Sequence, residues 1–415
     1  MDEKIYVLGS RDNVKEGILR IGRYYAIDGS LGSNVYLDAL KPHVILICGK
    51  RGYGKSYTMA TIIEEMAMLD DEIKRNIGIV IIDTLGIFWT MFFPNKKQEK
   101  ELEKWGLQPR NFDITIFSSR ENVEEYRKKG IDAKELLIKT SEMEQHHWAQ
   151  LFGLSSKDYV MAIIGRAMQK MKGNYSINDL IRAIYDDTKA DEKVKAVAEN
   201  FLAMAESWNI FGKEGFGTKD IVKKGRISVI DLSPYGEEIK VVVLAIIAKK
   251  IFEERVKERK KYEEGLLKSI DVKEDVPITW LAIDEAHVFL PHEKNISKDV
   301  LIKQWMRQGR QPGVALILAT QRPSSLDEEV LSHADIIISH RLTAQEDIDA
   351  LNKVRPTYMH ESMGEAVKRI GKERGVAVII DDTSESMHVI KIRPRLSWHG
   401  GEEPSAKHSV SPQVK

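Results

Sequence analysis

The chain has one cysteine, Cys48, in 415 residues. That excludes an internal disulfide, and no second cysteine is there to build a zinc knuckle. At the end of an apolar run, Cys48 reads as a small core residue. No uncharged apolar stretch approaches the roughly 20 residues of a membrane-spanning helix. The opening Met1-Asp2-Glu3-Lys4 has no apolar leader core, so a cytoplasmic protein with no membrane partner is expected. Lysine plus arginine (63) equals aspartate plus glutamate (63), so neither sign dominates the field. A nucleic acid would have to meet a local basic lining. Neither H-E-x-x-H nor G-x-S-x-G occurs, no spacing of acids marks a nuclease metal site, and no internal repeat is visible.

What the chain does have is the apolar content for a large core, 42% hydrophobic beside 30% charged. Its length allows two or three domains. Residues 1–42 hold short β-like runs (Ile5-Tyr6-Val7-Leu8, Ile18-Leu19-Arg20-Ile21, Val35-Tyr36-Leu37) and read as a small β-rich extension. From His43 onward strands and helices alternate. Strands are expected at His43–Cys48, Ile77–Asp83, Asp113–Ser118, Ile227–Leu232, Ile278–Ile283, Val314–Ala319, Ile336–Ser339, Val376–Ile380 and His388–Ile392. Several are unbroken apolar runs, as in strands buried on both faces, so residues 43–400 are expected to form an α/β core on a mostly parallel sheet. Between about 119 and 226 the β signal fades, and Leu136–Met204 reads as several helices inserted into that core. The charge-dense run Lys249–Glu264 reads as a solvated helix face, with DNA contact as the lesser alternative. Residues 401–415 lose apolar content and read as a flexible tail.

One stretch carries the most chemistry. Gly49-Lys50-Arg51-Gly52-Tyr53-Gly54-Lys55-Ser56 fits G-x-x-x-x-G-K-[ST], between an apolar strand and the helix-patterned segment Ser56 to Met68, which includes Tyr57. A strand, a glycine turn and a helix N-terminus aim several backbone N–H groups at one point, which suits a phosphate. Lys55 can reach the outer phosphates of ATP, and the Ser56 hydroxyl can hold Mg²⁺. Far downstream, the strand Ile278–Ile283 ends in Asp284 and Glu285. Asp284 is expected on the Mg²⁺ side, and Glu285 is expected to polarise the attacking water. The "DEAH" string completed by His287 lacks the other motifs of that helicase class, so His287 reads as a structural histidine or one contacting the next segment.

Gln321 follows the strand Val314–Ala319, where a polar side chain can face the terminal phosphate. The plainer reading is a buried amide bonded to backbone. Phosphoryl transfer also calls for an arginine, in cis or from a neighbour. Arg307, Arg310 and Arg341 are the candidates, and spacing does not choose among them. Asp83, after the second apolar strand, is either a polar group near the metal or a strand-end turn residue.

Together these motifs resemble the HerA/FtsK superfamily of hexameric DNA-pumping ATPases, most closely its archaeal HerA-like group. The resemblance rests on the phosphate loop, on Asp284-Glu285, and on Gln308-Gly309-Arg310-Gln311-Pro312-Gly313 followed by Ala319-Thr320-Gln321-Arg322-Pro323. It covers roughly His43 to Gly400 and includes the ending Ile392-Arg393-Pro394-Arg395-Leu396-Ser397-Trp398-His399-Gly400. It implies a RecA-like core, a homo-hexameric ring, ATP with Mg²⁺ at subunit interfaces, double-stranded DNA in the pore and a possible nuclease partner. Within that pattern Arg310 becomes the best arginine for action in trans. Arg395 and His399 fall in the segment that braces an adjacent subunit's nucleotide.

Two features depart from the family. Its full-length members carry a sizeable N-terminal β-barrel, and the forty-odd residues before the loop read as a reduced counterpart. The turn Thr84-Leu85-Gly86-Ile87-Phe88-Trp89 stands where a histidine-glycine-acid turn is more usual. The expected function is an ATP-driven DNA translocase or helicase, in DNA-end processing or repair. The alternative is an ATP-dependent assembly or switch module that does not move on DNA. A small-molecule kinase fits less well, because Glu285 and the arginines suit hydrolysis.

Overall fold

The computed structural model describes residues 6–11, 14–354 and 362–400. Residues 401–415, expected as a tail, lie outside the described residues, as does Ile5. Thirteen strands form one sheet. In chain order they are β1 (Val7–Leu8), β2 (Ile18–Tyr25), β3 (Leu31–Asp38), β4 (Val44–Cys48), β5 (Ile77–Asp83), β6 (Ile114–Ser118) and β7 (Asp132–Glu135). After a separate short pair, β8 (Ile138–Lys139) with β9 (Phe211–Gly212), come β10 (Ile227–Asp231), β11 (Ile278–Ile283), β12 (Val314–Thr320), β13 (Ile336–Ser339), β14 (Val376–Asp381) and β15 (Ser386–Ile392). The spatial order is β1-β3-β2-β15-β14-β13-β4-β12-β11-β5-β10-β6-β7.

From β13 to β7 every neighbouring pair is parallel. β14, β15 and β2 continue the sheet antiparallel, so the N-terminal strands are hydrogen-bonded into the same sheet through β15. The apolar runs explain the parallel half. In β4, Leu46 and Cys48 face one core while Ile45 and Ile47 face the other, and β11 and β12 divide in the same way. Alternate side chains of a strand point to opposite faces, so a strand covered on both sides is apolar throughout. The α/β fold read from the sequence is the fold observed.

One face carries the helix Lys55–Ala67 that follows the phosphate loop. The other carries the helices Gln145–Phe152, Tyr159–Lys170, Ile177–Tyr185 and Glu192–Ser207, with the 32-residue helix Glu237–Lys268. The first half of that long helix is mostly apolar, with Val241–Ala248, Ile251 and Phe252 buried. Its second half contains the charge-dense run, and not all of that charge is solvated. Arg255 is buried and donates to Pro312 O at 2.8 Å, while buried Glu258 accepts from the Asp275 amide at 2.7 Å. Among the described residues no helix is long and apolar enough to cross a membrane.

Candidate active site

The parallel strands all end on one edge of the sheet. There β4 turns into the phosphate loop, and the order of the strands sets what faces it. β12 brings Gln321, β11 brings Asp284 and Glu285, and β5 ends in Asp83.

The loop needs its glycines. Gly49, Gly52 and Gly54 have φ of 151°, 80° and 113°, a region that side-chain-bearing residues rarely enter. A Cβ on Gly49 would also lie 2.6 Å from the Cβ of His340. His340, just past β13, is buried, accepts or donates at 2.8 Å with Thr58 Oγ1, and pairs with Val376 O at 3.0 Å. Burial pushes its imidazole down to about 4, so it stays neutral. The Lys50 amide donates to Arg341 O at 2.8 Å, fixing the loop to the same strand end.

Lys55 is buried, and its Nζ makes a long 3.4 Å bond to Lys50 O. Burial lowers its pKa, opposed by Glu285 and Asp284. An ammonium this poorly supplied with acceptors suits an incoming phosphate oxygen. Ser56 Oγ lies 3.3 and 3.2 Å from the two oxygens of Asp284. Asp284 is itself buried; burial and the adjacent Glu285 carboxylate raise it to about 7. A hydroxyl facing a carboxylate is a hard-oxygen donor pair, which fits Mg²⁺. No group of three or more His, Cys, Asp or Glu among the described residues could hold a metal by itself. Mg²⁺ takes one or two protein oxygens and completes its shell with phosphates and water.

Glu285 sits at φ 51°, a left-handed conformation uncommon for a residue with a side chain. Gln321 Nε2 donates to Glu285 Oε1. Its other oxygen is buried without a hydrogen bond and lies 3.4 Å from His287 Nδ1. His287 also lies 3.2 Å from Thr320 Oγ1, and burial lowers its pKa. The structure therefore brings Gln321 to Glu285 rather than to backbone, and ties His287 to both strand ends.

The remaining expected residues are scattered. Arg307 forms a two-pronged pair with Glu329 at 2.7 and 2.8 Å. Arg310 precedes β12 and lines a different cavity, with Lys41, His43 and Val314, at the opposite ends of the strands. Arg341 reaches Gly371 O at 3.0 Å and lies 5.7 Å above the Tyr53 ring. Tyr57, next to Ser56, accepts from the Arg395 amide at 2.6 Å and packs edge-on against His399. The Arg395 guanidinium points inward to Glu64 and Ser397. Asp83 takes the amides of Leu85, Gly86 and Phe88, which makes it the turn residue.

The role of Glu64 was not read from the sequence. It is fully buried on the phosphate-loop helix and accepts five hydrogen bonds, from Arg393, Arg395, Leu396 and both donors of Ser397. His340 was missed as well. Neither carries a local signature, since each is defined by partners hundreds of residues away or across a strand end.

A glycine loop opening a helix, with a strand-end acid pair two strands away in one parallel sheet, defines a P-loop ATPase. The family described as "Helicase HerA, central domain" matches residues 19–251, more than half of the chain, and the AAA ATPase family matches 235–342. The chain belongs to the HerA helicase family. It is 24% identical over 402 residues to the DNA double-strand break repair helicase HerA of Sulfurisphaera tokodaii, covering 94% of this chain and 72% of that protein. Against HerA of Sulfolobus acidocaldarius it is 25% identical over the same length, covering 94% and 72%. Among solved structures, VirB4 of Thermoanaerobacter pseudethanolicus shares the fold with a TM-score of 0.57 at 13% identity, covering 93% of this chain and 99% of that one. Plasmid coupling protein TrwB, in complex with ADP and Mg²⁺, gives 0.53 at 12%, covering 96% and 98%.

Proposed function

We propose that this chain is an ATP-driven translocase on double-stranded DNA, working as a ring of six in DNA-end processing or repair. The observation that carries the reading is the meeting of Ser56 with Asp284 and of Gln321 with Glu285 in one folded unit. ATP lies with its β- and γ-phosphates in the loop, against Lys55 and the backbone N–H groups. Ser56 and Asp284 would hold Mg²⁺, which would supply charge neutralisation on those phosphates. Glu285 accepts a hydrogen bond from the attacking water and draws off its proton, while Gln321 fixes the carboxylate and senses the terminal phosphate.

Charge builds on the equatorial oxygens as the bond breaks, and this subunit's own candidates are committed elsewhere. Arg307 is paired with Glu329, and Arg341 with Gly371. Arg310 is exposed at the far edge of the sheet, away from this subunit's own phosphate loop, which supports action in trans. The curated relatives are named as DNA double-strand break repair helicases, which supports duplex DNA as partner and leaves a nuclease as the natural second one. Zero net charge is compatible with this, because a ring gathers a few cations from each subunit into one channel.

The test is ATP turnover with and without duplex DNA, measured beside mass in solution. Stimulation that fades with salt, in a hexamer, is expected. Slow turnover in a monomer or dimer, indifferent to DNA at every salt concentration, would leave the assembly-switch reading in its place.

A further inference from the structure

A cleft of about 510 Å³ opens in front of the phosphate loop, and it holds more positive charge than the reading above uses. Four cations line it: Lys50 and Arg51 from the loop, Arg322 after β12, and Lys240 from the first turns of the long helix. Lys50, Arg51 and Arg322 make no side-chain hydrogen bond or ion pair among the described residues. Lys240 Nζ makes one, to Thr84 O at 3.2 Å. The acids of the cleft are partly engaged: Glu285 by Gln321, and Asp347 by the Ser324 amide and hydroxyl. Glu237 is exposed.

Strand order sets the distance. Going from the loop on β4, the strand ends carry Gln321 and Arg322, then Asp284 and Glu285, then Thr84, where Lys240 is tethered. β4 and β5 are three strands apart, which at about 4.8 Å per strand is about 14 Å. That is too far for Lys240 to touch a terminal phosphate seated in the loop. It is the right place for that phosphate once it has left. Hydrolysis adds water across the terminal P–O bond; the water oxygen stays on inorganic phosphate and the bridging oxygen stays on ADP. The new dianion is repelled by ADP and by Glu285; Lys240 stands beyond Glu285, one helical turn from the exposed Glu237, and Arg322 stands beside Glu285 on the loop side.

We propose that the outer part of this cleft, with Lys240 and Arg322 as its contacts, holds inorganic phosphate after it separates from ADP. This rests on the reading that the terminal phosphate faces Glu285. It gives phosphate its own site, beyond the loop, and makes its departure a step that two surface cations control.

The test is inhibition of steady-state ATPase by added inorganic phosphate, for the wild type, Lys240→Met, Lys240→Arg and Arg322→Gln. Losing one charge-assisted contact should raise the phosphate inhibition constant about ten-fold in Lys240→Met and Arg322→Gln, with KM for ATP unchanged. Lys240→Arg should keep the wild-type constant. The same constant in all four proteins would overturn the proposal, and so would a KM for ATP that rises in step with it. Arg322 is exposed and unpaired, so its variant carries the test if Lys240→Met does not fold. Failure of the underlying reading looks different: Lys55→Ala would then bind ATP normally by calorimetry.

Discussion

Ser56 Oγ lies 3.2 Å from Asp284 Oδ2, although 228 residues separate them in the chain. β12 alone stands between β4 and β11, so the loop and the acid pair meet as soon as the sheet forms. Everything inserted between them, including the four-helix segment, leaves that register intact.

Glu285→Gln should still bind ATP but lose turnover by about 10² to 10⁴-fold, the usual worth of a positioned general base. Calorimetry with ATP beside a phosphate-release assay separates the two effects. Ordinary turnover in this variant would remove Glu285 from its role. Lys55→Ala should lose ATP binding itself.

Arg310→Ala should leave nucleotide affinity nearly intact and lower turnover by about 10³-fold or more, as expected of an arginine acting on a neighbour's phosphate. Mixing it with Glu285→Gln subunits should restore part of the activity. A mixture no more active than its components would show that Arg310 does not act across an interface.

His43 predicts a pH dependence of stability. It is buried at the start of β4, with Nδ1 2.6 Å from Asp335 Oδ2 and Nε2 3.9 Å from Asp38 Oδ2. Burial alone would lower its pKa, but the hydrogen bond to Asp335 and the nearby Asp38 carboxylate outweigh burial and raise it to about 9. A raised histidine stabilises fully below its unfolded value of about 6.5 and loses that stabilisation as pH rises through 9. The loss is on the order of 3 kcal/mol. Thermal midpoints should fall between pH 6.5 and 9, and His43→Gln should flatten that slope. An equal slope in both proteins would assign it to other groups.

Glu64→Ala should lower stability by about 3–5 kcal/mol, the cost of leaving a buried charge without its partner. Arg395 would remain inside at 1% exposure without a carboxylate, while Arg393, at 0%, would keep Glu65 at 2.7 Å. The thermal midpoint checks this; a shift no larger than that of a surface substitution would mean that water replaces the carboxylate.

The parallel strands were legible because burial on both faces forces apolar runs such as Ile77–Asp83 and Ile278–Ile283, which the structure reproduces residue for residue. β7, Asp-Ala-Lys-Glu, was not, since it lies at the sheet edge and buries only Ala133. An edge strand need not be apolar, so it leaves no pattern. The long helix was only half visible, through its charged end. Its apolar start, Val241-Val242-Val243-Leu244, is buried throughout and lacks helical periodicity. In the site, the loop and acid pair were legible because their residue types follow from phosphate chemistry. Glu64 and His340 were not, because their work depends on which distant segments they meet.

The clasp on Glu64 has a mechanical consequence. Ser56 and Glu64 belong to one helix, about 12 Å apart along its axis, and such a rod transmits displacement with little compliance. A load applied at Leu396 or Ser397 is thus shared with the helix whose first turn floors the nucleotide pocket. Tension there and occupancy of the pocket become two readings of one rigid part.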